Sequence, residues 1–102
     1  MSAALELDGD LLRLKGAVTI ATATALYRDL QRHLGNGRHL PEVVTVDCSG
    51  VGTADSTALA LLIEAQRQLS AHGKRLNVVG LRQQLASLAQ IYGVAWLLPE
   101  TE

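Results

Sequence analysis

The chain has 102 residues, 48% of them apolar and 19% charged, with nine lysines and arginines against ten acids and a formal charge of −1. That balance suits one folded domain over 1–102 with a modest core and excludes a disordered chain. With no lysine or arginine stripe, it also argues against a nucleic-acid partner.

Aromatic residues make up 3% and Phe is absent, so the core is expected to be built from Leu, Val, Ile and Ala. The opening MSAALELDGD shows no basic segment followed by an apolar one, and no run approaches the roughly 18 apolar residues of a membrane span. The expected location is therefore cytoplasmic, with any membrane attachment made through a partner.

Leu5–Leu7 and Leu11–Leu14 alternate leucines around Asp8-Gly9-Asp10, a pattern that predicts a two-stranded hairpin because Gly9 tolerates positive φ. Gly16–Ala23 is a connection of small residues in which Thr19 and Thr22 are each candidates to cap the next helix. That helix carries Ala25, Leu26, Leu30 and Leu34 and is expected to stop at Gly35-Asn36-Gly37. Pro41 closes a loop before a central strand, Val43–Asp47, whose Val43, Val44, Val46 and neighbouring Cys48 read as apolar on both faces. Cys48 is the sole cysteine and reads as a small buried hydrophobe. Gly50 and Gly52 are expected to end the strand, and Asp55 or Ser56 to cap a helix running to about Ala71.

His72-Gly73-Lys74 breaks that helix, Leu76–Val79 reads as another strand ended by Gly80, and a last helix from Leu81 carries Leu85, Leu88, Ala89 and Tyr92 before Gly93. Trp96-Leu97-Leu98 before Pro99 is a candidate edge strand. The order predicts an α/β fold with a mixed, mostly parallel sheet and helices packed against it.

At about 100° per residue, Ala58, Leu61, Leu62, Ala65 and Leu69 share one face of the Ser56–Ala71 helix. Ser56, Leu59, Ala60, Ile63 and Arg67 fall on a neighbouring one. A second stripe is more than one sheet needs, so Leu59 and Ile63 beside Ser56 and Thr57 are expected to form a docking surface for another protein. The alternative is that a neighbouring helix covers them.

Catalytic constellations are not evident. His33, His39 and His72 have no cysteine or carboxylate at metal-ligand spacing, and no metal or cofactor is expected. Ser56 lacks a G-x-S-x-G elbow, which leaves a serine hydrolase as a weak alternative. Gly50-Val51-Gly52 lacks the lysine of a P-loop and leads into the acidic Asp55. Asp47 and Asp55 flank the turn, where a structural role outweighs acid–base work. A phosphate on Ser56 would gain from the helix dipole yet put about −1.5 to −2 charges beside Asp55 and amid the Leu59/Ile63 patch, switching off an apolar contact.

The run V-D-C-S-G-V-G-T-A-D-S-T-A-L-A-L-L, Val46–Leu62, resembles the signature of STAS domains, the fold of bacterial anti-sigma-factor antagonists. G-A-V-T-I-A-T-A-T-A-L, Gly16–Leu26, is similar to that family's loop entering its first helix, with Thr19 where an acid is common. The tail L-x-x-L-A-x-x-Y-G-V at Leu85–Val94, with Leu97-Leu98-Pro99 beyond it, resembles the branch of STAS subunits in Mla-type phospholipid-transport ABC systems, which maintain outer-membrane lipid asymmetry.

The resemblance spans roughly Leu11–Leu98 and implies a STAS fold with no catalytic activity. It implies that the chain binds and stabilises or activates the cytoplasmic ATPase subunit, lying peripheral to the inner membrane through it. Thr19, Asp55, Ser56, Thr57, Leu59, Ala60 and Ile63 are then the expected partner-binding residues. Ser56 occupies the position phosphorylated in the anti-sigma antagonists, whose partner is an anti-sigma kinase. The sequence departs from the family pattern at Ala58, where glycine usually follows the Ser/Thr pair.

Overall fold

The computed structural model describes residues 2–35 and 40–94. Strand β1 (Ala3–Asp8) turns through Gly9, at φ +67°, into β2 (Leu11–Val18), and the two pair antiparallel from Ala3↔Gly16 to Asp8↔Leu11. Helix α1 (Ala23–Leu34) crosses over to β3 (Val43–Ala54), and α2 (Thr57–Ser70) crosses to β4 (Arg75–Val79). Helix α3 (Gln83–Ile91) follows. The four strands lie in the order β1-β2-β3-β4, with β2–β3 and β3–β4 parallel, so the sheet is mixed and mostly parallel as the sequence predicts. Because each crossover returns the chain to a parallel neighbour, α1 and α2 both begin at the end of the sheet where β2 and β3 finish.

Leu26, Leu30 and Leu34 bury one stripe of α1, and Ala58, Leu61, Leu62, Ala65 and Leu69 one stripe of α2. They meet Leu12, Leu14, Val44, Val46, Cys48 and Val78 of the strands in one core. Ala25 and Tyr92, expected on buried stripes, are exposed; Tyr92 lies just past the end of α3 and is 58% accessible.

Two expectations about β3 are corrected. The strand does not end at Gly50 and Gly52. It continues to Ala54, pairing Lys15↔Gly50, Gly16↔Val51 and Val18↔Ala54. Neither glycine adopts positive φ, and at Gly50 the Lys15 side chain packs so close that a Cβ would crowd it. Glycine here serves close approach, which does not break a strand whose partner extends alongside.

Nor is β3 covered on both faces. Val44, Val46 and Cys48 are buried while Val43, Thr45 and Asp47 are half-buried on the other side. That second face is polar: Arg13 of β2 lies 3.8 Å from Asp47 and 3.7 Å from Asp8, and Lys15 lies 2.8 Å from Glu6.

Gly35 follows α1, in right-handed helical geometry, and Gly73 (φ +72°) ends the turn after α2. Asn36, Gly37, His39 and the Trp96–Leu98 edge strand lie outside the described residues.

Candidate functional site

The site is assembled where β2 and β3 end side by side. Val18 is the register partner of Ala54, and the Asp55 N–H donates to the Val18 carbonyl at 3.2 Å. The chain after Val18 is tied by its own threonines. The Thr22 hydroxyl accepts from the Thr19 N–H at 3.1 Å and lies 2.7 Å from the Ala17 carbonyl, and the Thr19 hydroxyl accepts from the Ala21 N–H at 3.2 Å. Neither threonine caps α1, as the sequence suggested, because both hydroxyls are spent inside the turn. Short hydroxyl side chains favour such local bonds.

The product of this knot is Ile20, held out with 79% of its surface accessible. The sequence reading passed over it. The available signal was an isoleucine in a run of Thr and Ala between a strand and a helix, where no core periodicity calls for it.

Asp55 joins this turn to α2. Its Oδ2 accepts from the Ile20 N–H at 3.0 Å and its Oδ1 from the Thr57 N–H at 2.8 Å. Of the two candidate caps it is therefore Asp55 that satisfies the helix start, while the Ser56 side chain makes no cap bond. Donors from Thr57 and then Ile20 hold the Asp55 carboxyl below the usual range, because they bind the charged form. Asp47 is likewise held low by Ser49, whose N–H donates to it at 2.9 Å, and by the nearby Arg13. Both carboxylates are fixed as structural acceptors.

The remaining site residues divide. Ser56 and Ala60 are exposed and Ile63 is 36% accessible, so these share the outer surface with Ile20 and the exposed Ala21 and Thr24. Thr57 and Leu59 do not. At 9% and 2% exposure they are buried, which corrects the expectation that a Ser/Thr pair is displayed and that Leu59 lies on a surface stripe. Helix α3 packs against α2, and the domain seals Leu59 within itself. Ala58, where the family carries glycine, is 1% exposed and faces inward. Among the described residues no three His, Cys, Asp or Glu side chains converge as a metal site. Burial pushes the Cys48 thiol up to about 12, consistent with a packing role.

An α/β domain with a partly apolar surface beside the Asp55 carboxylate at the start of its second helix is what this geometry defines. The chain belongs to the STAS-domain family: the family model described as Mlab, STAS domain, matches residues 1–99. No curated protein matches the chain. Among solved structures, the unphosphorylated anti-sigma factor antagonist SpoIIAA is similar over 99% of this chain and 90% of its own, with TM-score 0.75 and 16% identity. A sulfate transporter family protein from Wolinella succinogenes is similar over 93% and 75%, with TM-score 0.68 and 20% identity. The STAS domain of a SulP transporter from Vibrio cholerae is similar over 91% and 71%, with TM-score 0.58 and 18% identity. These likenesses establish the fold.

Proposed function

We propose that this chain is a non-enzymatic subunit of the MlaB kind, which docks on the cytoplasmic ATPase of an Mla-type phospholipid-transport ABC system and stabilises or activates it. The observation that carries the reading is the surface made by Ile20, Ser56, Ala60 and Ile63, with Thr19 behind it: partly apolar, drawn from two segments, and fixed by the Asp55 carboxylate that bridges them rather than left to move. An exposed isoleucine on a tied turn is suited to anchor in a partner's apolar pocket, since little entropy remains to be lost when it docks. Thr57 and Leu59 support the surface from beneath.

The family match favours the Mla branch. Association with the inner membrane would come through the ATPase, as no helix among the described residues is long and apolar enough to cross a membrane. Co-purification with the ATPase tests this. Ile20→Asp and Ser56→Arg are expected to abolish capture without unfolding the domain. An ATPase complex that assembles and hydrolyses ATP equally well without the chain would overturn the reading.

A second reading, an anti-sigma-factor antagonist released from its kinase by phosphorylation, is favoured by one feature: the exposed Ser56 hydroxyl is not engaged as a cap. Stoichiometric phosphate on Ser56 by mass spectrometry of natively isolated protein would select it. Labelling of Ser56 by a fluorophosphonate probe would instead point to a hydrolase.

A further inference from the structure

In an antiparallel hairpin, successive cross-strand pairs alternate between those that exchange backbone hydrogen bonds and those that do not. The Ala17 N–H donates to the Ser2 carbonyl at 3.1 Å, and the register continues through Ala4↔Lys15 and Glu6↔Arg13. Even-numbered residues of β1 therefore turn their N–H and C=O toward β2, and Ala3, Leu5 and Leu7 turn theirs away. Among the described residues β1 is an edge of the sheet, and such a row of free groups is a template for another strand.

The middle of that row is occupied from within the molecule. The Leu5 N–H donates to Asp29 Oδ2 at 3.4 Å, and His33 Nε2 lies 3.0 Å from the Leu5 carbonyl oxygen. A carbonyl only accepts, so Nε2 carries the proton. Asp29 and His33 stand four residues apart on one side of α1, and Arg32 pairs with Asp29 and steadies it. The two side chains take both positions that an incoming strand would need at the centre of β1.

We infer that the β1 edge is a strand-pairing surface for a second copy of this chain, held shut by Asp29 and His33. The occupant follows from the sequence of the edge itself. A two-fold antiparallel pairing centred on Leu5 sets Leu5 opposite Leu5, Ala3 opposite Leu7 and Ala4 opposite Glu6, so no like charges face each other and the leucines fall on the core side. Leu7, 41% exposed, gains cover in that arrangement.

The double variant Asp29→Ala/His33→Ala, checked for folding by circular dichroism, is expected to shift in light scattering from the monomer to twice its mass. Adding Leu7→Pro is expected to restore the monomer, because it removes an outward N–H and leaves the bonds to β2 in place. A folded double variant that stays monomeric as concentration rises overturns the inference. Hydrogen exchange on the unaltered chain gives an independent check. The Leu5 amide should exchange roughly tenfold or more slowly than the equally outward Leu7 amide, and equal rates would also overturn it.

Discussion

Asp55 shows how much one carboxylate organises. It receives N–H groups from two segments that are distant in sequence, so Asp55→Ala should loosen the Ile20 turn and the helix start together. The expected result is faster amide exchange at Ile20 and Thr57 and weaker capture of the partner, with the core amides unchanged.

Leu59 and Ile63 provide a sharper contrast, since they are neighbours on α2 with opposite exposure. Leu59→Asp buries an unpaired charge and should cost about 3–5 kcal/mol in urea denaturation. Ile63→Asp should change stability by less than about 1 kcal/mol while still impairing docking.

Glu64 supplies the pH dependence. Hydrogen bonds from Arg67 and then Gln68 hold its carboxyl at about 2, below the ordinary 4.5. The folded state binds this proton less readily than the unfolded one. The contribution is therefore complete above pH 4.5 and lost as the pH falls toward 2, in the same direction as those of Asp47 and Asp55. Glu64→Gln should flatten the acid limb of the stability curve measured by urea midpoints.

Among the elements, β2 runs on through Gly16 to Val18, residues that the sequence reading assigned to the connection after the strand, and it depends on that glycine. Gly16 sits at φ +87°, and a Cβ there would overlap the Ser2 carbonyl oxygen. Gly16→Ala should cost about 1–3 kcal/mol in urea denaturation and displace the start of β1.

The helices were the readable part of the chain. The spacing of Ala58, Leu61, Leu62, Ala65 and Leu69 marks the face of α2 that enters the core, because those residues recur at the 3.6-residue period. Strand β3 was less readable. Glycine permits a turn without demanding one, and only the length of β2 beside it decides that Gly50 and Gly52 continue the ladder. Leu59 was ambiguous for a related reason, as a stripe reveals that a residue is covered but not by what. Ile20 was hidden because its placement depends on the hydrogen bond its N–H donates to Asp55, 35 residues away, and no local pattern contains it.

At the scale of the whole molecule, the family, the fold and the polarity of the sheet agree. Two parallel crossovers bring the starts of α1 and α2 to one pole, and the Ile20–Ser56 surface arises from that topology. The hairpin turn at Gly9 and the turn at Gly73 lie at the other pole, where β2 and β4 begin, and a Cβ added at either glycine would meet no atom within 4 Å. That pole is a natural tethering point. A short epitope spliced between Gly9 and Asp10 should leave the free energy of unfolding within about 1 kcal/mol of the parent and keep capture of the proposed partner intact. The same insert between Ile20 and Ala21 should abolish capture, so a reporter carried on one end of this domain leaves the proposed docking end free.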